Sequence, residues 1–259
     1  MKFMNNLIMV ITHKEYCEID DDIYKTIIVG DKKVNITGAW RDNQGDLCIT
    51  EKNPYYCELT GLYWVWKNKM DDYDNVGLCH YRRYFTNNRF SKRQKFFLSV
   101  KEIENNLKNY DVILPEKFCW KTTVDKVYYL YGEGREKDLE LTRQAISIMF
   151  PEYLNAFDLI LKRKSASYCN MFVMSQQKVQ DYCDWLFKIL FYVEEHIDMT
   201  GYTQQEARVF GYLSEILLNV WIEKKKLKIK YYPIAFTEKN VLGQIYEGIM
   251  SKLFGYGRI

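Results

Sequence analysis

Paired cysteines, histidines and long apolar runs are what this chain is short of. Its seven cysteines include no C-x-x-C pair and no repeated Cys/His spacing of the kind a zinc site uses. An odd number scattered through apolar segments reads as the reduced thiols of a cytosolic protein. Three histidines, His13, His80 and His196, nearly exclude a histidine-built metal centre. Nowhere do about eighteen apolar residues run together, so no membrane span is predicted. The N-terminal apolar run is too short, and too interrupted by asparagines, for a secretory signal. A formal charge of +3 is too slight for a general nucleic-acid binder, which normally carries a strong basic stripe. No G-x-G-x-x-G follows the first strand and no Walker-type loop occurs, which removes the main support for a dinucleotide-binding or P-loop reading. A G-x-S-x-G elbow is also missing, and with so few histidines a hydrolytic triad is not expected.

What is present is a globular chain. Its 259 residues suffice for one large domain or two small ones, 47% of them are apolar and 16% aromatic. The 22 tyrosines suit carbohydrate faces, yet tyrosine content alone is better read as core filling. Leu7 to Thr12, Lys25 to Val29, Val76 to Cys79, Asp111 to Pro115, Cys169 to Met174 and Lys228 to Tyr232 read as strands. Between them fall helical patterns: Pro54 onward with Leu59, Leu62, Tyr63 and Trp66 facing the core, Val100 to Leu107, Leu139 to Leu161 with a break at Pro151, Val179 to Glu195, and Glu206 to Glu223. Strands alternating with helices predict an α/β fold whose central sheet is mainly parallel, with a helical C-terminal portion. Residues 31 to 54 read as one long loop. The expected organisation is one domain over residues 1–235, followed by an amphipathic tail over 236–259. That tail packs on its own domain or a partner, or lies on a membrane surface.

Three clusters carry chemistry. In Asn75-Val-Gly-Leu-Cys-His-Tyr-Arg-Arg-Tyr-Phe85 an apolar strand runs straight into His80, Tyr81, Arg82 and Arg83. Ligands of open α/β sheets sit beyond the carboxyl ends of such strands. Two guanidiniums there suggest bidentate grip on a phosphate; the bland alternative is a solvated Arg-rich loop. The second cluster is Thr50 to Glu58, including Glu51, Asn53 and Glu58, at a predicted helix N-terminus. It would either attract an anion or merely cap the helix. On the third, Thr203 to Glu215, a helix would bury Phe210, Leu213, Leu217 and Val220 and align Arg208, Gly211, Tyr212 and Glu215 on a neighbouring stripe. Gly211 would admit either a ligand or a close-packed backbone. A metal-binding D-x-D is also conceivable in Asp72-Tyr73-Asp74. It precedes the strand rather than following it, so a solvated acidic turn is the better reading. Cationic side chains can offset a diphosphate's charge in place of a divalent ion, which leans the site towards metal independence.

These blocks, together with Thr12-His13-Lys14 and Asn170-Met-Phe-Val-Met174, resemble a bacterial family of capsular and exopolysaccharide glycosyltransferases long catalogued as a domain of unknown function. The resemblance covers roughly residues 7 to 235 and implies a GT-A-like fold. It also implies transfer of a hexosyl group, from UDP-galactofuranose or another UDP-hexose, to a growing capsular, exopolysaccharide or O-antigen glycan on a lipid-linked acceptor. Such an enzyme would work in the cytoplasm, in peripheral contact with the inner face of the membrane. Thr12, His13 and Lys14 would then border the nucleotide, Arg82 and Arg83 hold the diphosphate, and His80 and Tyr81 lie near the donor sugar. Asn53, Glu58 and Arg208 join the donor-binding set. Among the carboxylates Glu51, Glu58, Glu206 and Glu215, an acceptor base is needed; Glu51 and Glu215 match family positions. This chain departs from the family pattern at Leu47 and Cys48, across Tyr131 to Lys137, and at Thr203 and Glu206. The departures at Leu47, Cys48 and Thr203 leave room for a non-catalytic nucleotide-sugar or carbohydrate-binding component of a polysaccharide assembly complex. A nucleotidyltransferase would need acidic metal ligands at strand ends, and none is evident.

Overall fold

The computed structural model describes residues 4–89, 91–130 and 134–238. They group into two compact units: residues 4–116, 170–181 and 227–238 form the first, residues 117–169 and 182–226 the second. The amphipathic segment beginning at Asn240, and Tyr131 to Glu133, lie outside the described residues.

An unbroken apolar run makes β1 (Asn6–Thr12), buried along its whole length. Such a run suits a strand covered on both faces. β2 (Tyr24–Ile28) pairs with it in parallel, and β3 (Trp40–Arg41) with β2. Two short helices, α1 (Asn53–Tyr56) and α2 (Leu59–Asn68), lead to β4 (Asn75–His80), which lies parallel to β1 with Ile11 opposite His80. Tyr81 and Arg82 then form a two-residue turn into β5 (Arg83–Phe85). Helix α3 (Val100–Leu107) starts on a capping box in which Ser99 and Glu102 satisfy each other's backbone amides, and β6 (Val112–Pro115) follows.

The second unit takes up β7 (Phe118–Cys119), α4 (Val124–Leu130), α5 (Glu136–Met149), α6 (Leu154–Lys162) and β8 (Ser165–Ala166), with β7 and β8 antiparallel. β9 (Phe172–Ser175) belongs to the first unit and runs antiparallel to both β4 and β6. α7 (Gln176–His196) begins in the first unit and continues in the second, where α8 (Val209–Lys225) follows. The chain closes with β10 (Ile229–Tyr232), parallel to β6, and β11 (Ile234–Phe236), antiparallel to β5. The main sheet has the order β10-β6-β9-β4-β1-β2-β3 and is mostly parallel, as the alternating pattern predicts.

Two expectations shift. The helix starting at Pro54 breaks after one turn, because Cys57 adopts φ 53°, ψ −126°. α2 therefore starts at Leu59 and buries Thr60, Gly61, Trp64 and Val65 beside Leu59 and Leu62, leaving Tyr63 and Trp66 half-buried. Helix α8 has no polar face: every residue from Val209 to Ile222 is buried, as befits a helix enclosed on all sides.

Gly77, in β4, shows how tightly the first unit's sheet is packed. A Cβ there would lie 2.8 Å from Val173 Cγ2 and 2.9 Å from the Phe172 carbonyl oxygen. Gly77→Ala should therefore cost about 1–3 kcal/mol of stability, by overpacking against β9. Urea unfolding of the two proteins measures this, and equal midpoints would contradict so close an approach.

Candidate functional site

Because β1, β2 and β4 are parallel neighbours, their carboxyl ends emerge on one edge. The ladder between β1 and β4 continues one step past His80, the Tyr81 amide donating to the Ile11 carbonyl at 3.1 Å. Thr12 to Lys14 and His80 to Arg83 are thereby brought side by side. Thr12 is buried, and its hydroxyl both donates to the Lys14 carbonyl (2.6 Å) and accepts from the Lys14 amide (3.2 Å). Its part in the cluster is to set the turn that carries His13 and Lys14. Tyr81 is the hub. His13 meets its ring edge-on at a centroid distance of 5.4 Å, the Lys14 ammonium stands 5.0 Å from the centroid and the Arg82 guanidinium 5.6 Å. His80 is buried beneath this turn's start.

The two arginines are not equivalent. Arg82 is half exposed and lies 3.6 Å from the carboxylate of Glu238, which also pairs with Lys14 at 2.7 Å. That hydrogen bond raises the Lys14 pKa and, from the other side, holds the Glu238 carboxyl below its usual range. Arg83 differs: its Nε is shielded from solvent and has no hydrogen-bond partner among the described residues. A buried donor left unmatched costs about 1–3 kcal/mol. Such an atom is what an anion would satisfy.

A second layer of polar groups lies on the same edge. Asp42, just past β3, is fully buried and accepts the Gly30 amide on both oxygens at 3.2 Å. Burial raises its pKa, against the opposing pull of hydrogen bonds from Thr60, the Gly30 amide and Thr50. Asn53 donates to the Cys57 carbonyl (2.9 Å) and the Thr60 hydroxyl (3.1 Å), and its Oδ1 fills the space where a Cβ on Gly30, at φ +70°, would go. Asn53 thus braces the α1–α2 junction; neither it nor Thr50 makes a side-chain cap, and a four-residue helix has little dipole to offer. Glu58, next to the strained Cys57, accepts a 2.7 Å hydrogen bond from Asn170 Nδ2. Asn170 is itself buried and in the left-handed region at φ 50°, two residues before Phe172, which pairs with Leu78. Continuing that register brings Asn170 level with His80. Glu51 is exposed on the 3-10 turn Thr50–Lys52.

Asp72-Tyr73-Asp74 falls at the opposite, amino end of β4, where Asp74 accepts the Asn5 amide at 2.9 Å and ties down the start of β1. Among the described residues no group of three His, Cys, Asp or Glu side chains is placed to hold a metal ion. No described helix is long and apolar enough to cross a membrane.

Arg208 and Glu215 belong to the second unit. Arg208 is exposed just ahead of α8, its guanidinium 5.4 Å from the Tyr212 ring centroid, and Glu215 is buried within the helix. The segment leading to Arg208 is organised by Glu206, which accepts from Arg135 Nε at 3.0 Å and from the Thr203 amide at 2.8 Å. Asp138, fully buried, accepts from Tyr128 and Tyr202 and from the Arg135 amide. Sequence reasoning named Glu206 as a candidate carboxylate but missed its pairing with Arg135, the Asp138 contacts and Glu238. Nothing in the local pattern of these residues marks a partner so far along the chain.

The Arg135 guanidinium beside Glu206 pulls its carboxyl pKa down from the usual carboxylate range to about 2. A carboxylate with a depressed folded-state pKa stabilises the protein above its unfolded pKa, and that contribution is lost as pH falls through the folded value. Between about pH 4.5 and 2 the wild-type melting temperature should therefore fall more steeply than that of Glu206→Gln. Parallel curves in a thermal-melt series across that window would contradict the pairing.

Comparison with known proteins bears on the whole arrangement. A solved structure described as the apo form of WbbM, a bifunctional glycosyltransferase, matches with a TM-score of 0.78 at 30% identity over 91% of this chain. The chain spans 46% of that protein's length. A second match, core-mannan synthase A from Aspergillus fumigatus in its Mn/GDP form, has 10% identity over 88% of this chain and 72% of that one, with a TM-score of 0.35, too low to bear on the fold. No curated protein matches. The mostly parallel sheet flanked by helices is a GT-A-like fold. A family model described as "Domain of unknown function (DUF4422)" matches residues 7–226, and the chain belongs to that family.

Proposed function

We propose that the protein is a glycosyltransferase that moves a hexosyl group from a UDP-sugar to a capsular, exopolysaccharide or O-antigen glycan, including a lipid-linked one, at the cytoplasmic face of the membrane. The observation that carries this reading is the meeting of Lys14 and Arg82 around Tyr81 on the edge where β1 and β4 end, with the next residue, Arg83, keeping a shielded and unmatched Nε. The likeness to a bifunctional glycosyltransferase supports it.

Transfer requires the bond from the sugar's anomeric carbon to the diphosphate oxygen to break, the diphosphate leaving with the electron pair. Guanidinium and ammonium groups held where that charge develops lower the barrier by stabilising it. In this reading they supply the electrostatic role that a divalent ion plays elsewhere. The acceptor hydroxyl forms the new bond to the anomeric carbon and passes its proton to a carboxylate. Glu58, fixed by Asn170, is our assignment for orienting a donor-sugar hydroxyl. Glu51 is the candidate for the base, and His13, His80 and Tyr81 frame the donor.

The test is UDP release by purified protein from a panel of UDP-hexoses and glycan acceptors. Arg83→Ala should lower kcat/KM by about 100-fold or more, the scale of losing one transition-state charge donor. Arg82→Ala should cost less, because Glu238 already shares that guanidinium. Wild-type turnover in Arg83→Ala would remove the phosphate role. Donor binding without turnover across all acceptors would instead favour a non-catalytic binding component.

A further inference from the structure

Glu238 sits where the proposed diphosphate would need to be. Its carboxylate is 2.7 Å from the Lys14 ammonium and 3.6 Å from the Arg82 guanidinium, and both cations border the same Tyr81 ring. Two hydrogen bonds at Thr237 hold the placement: its amide donates to the Arg82 carbonyl at 3.1 Å, and its carbonyl accepts from Lys92 Nζ at 2.9 Å. The residue after β11 is thus pinned against the turn that presents Arg82. From these contacts we infer that Glu238 is an internal occupant of the anion site, whose carboxylate competes with the donor's diphosphate for Lys14 and Arg82 and so sets donor affinity. The inference rests on the diphosphate reading above and adds to it a residue that weakens donor binding.

The chemistry of the competition is simple. With Glu238 in place, two cations and one carboxylate leave a net single positive charge. With it displaced, both cations face the incoming diphosphate. The three side chains are roughly half exposed, at 48%, 43% and 43%. Ion pairs this exposed are weak and exchange easily. A nucleoside diphosphate, with more negative charge and several acceptor oxygens, can therefore displace the carboxylate without unfolding anything. Arg83 takes no part in the pairing, so Glu238 leaves its charge unshared.

Calorimetric titration of the full chain with UDP, and separately with uridine, tests the inference. Glu238→Gln keeps the shape and removes the charge. It should bind UDP about two- to fivefold more tightly than wild type, the scale of one exposed ion pair. Uridine, lacking phosphate, should bind both proteins equally. The gain should shrink in about 0.5 M salt, where exposed charges are screened, and in an Arg82→Ala background. If wild type binds UDP and Glu238→Gln binds it no better, the competition is refuted while the diphosphate site stands. If neither protein binds UDP, both readings fall.

Discussion

The parallel pairing of β1 with β4 is the constraint on which the rest of the first unit depends. It aligns Ile11 with His80 and so delivers two distant chain segments, one ending in Lys14 and the other in Arg82 and Arg83, to the same edge. Both strands are buried throughout. Gly77 lets β9 close against β4 on the other side, and the same approach brings Asn170 towards His80. Packing of apolar strands thus determines where the polar residues meet.

Electrostatics then differentiates residues that look alike in sequence. Lys14 and Arg82 share one carboxylate and one aromatic ring, and both remain half exposed. Arg83, the next residue, has a shielded nitrogen with no partner among the described residues. Beneath them, Asp42 and Asn53 bind together the loop from Gly30 to Thr60, so that Glu58 is presented from a rigid base rather than a mobile loop. Backbone conformations uncommon for residues other than glycine occur at Cys57, Cys169 and Asn170, on both sides of the Glu58–Asn170 hydrogen bond. Such outliers persist where surrounding structure enforces them, and they gather at functional sites.

Much of this was legible from residue patterns alone. Unbroken apolar runs marked β1, β4 and β6, and the helix expected over Val100 to Leu107 matches α3. The position of His80 to Arg83 followed from one strand and the rule that ligands gather at carboxyl ends. What escaped was non-local or conformational. Cys57 carries no signal that it will take a positive φ, and its break shifted the phase of α2 away from Tyr63 and Trp66. The stripe expected on α8, Phe210, Leu213, Leu217 and Val220, is buried, but so are its neighbours from Val209 to Ile222, because the helix is covered all round, a fact of tertiary packing. β5 and β11 are three residues each, too short for periodicity to detect. Glu238 could not be paired with Lys14 and Arg82 without the fold.

The most direct measurement of the central claim is a crystal structure of the protein with UDP bound. Both phosphates should lie beyond the ends of β1 and β4, with Arg83 Nε donating to a phosphate oxygen and Lys14 and Arg82 turned to them. Nucleotide bound elsewhere, with Arg83 still unmatched and Glu238 still across Lys14 and Arg82, would contradict it.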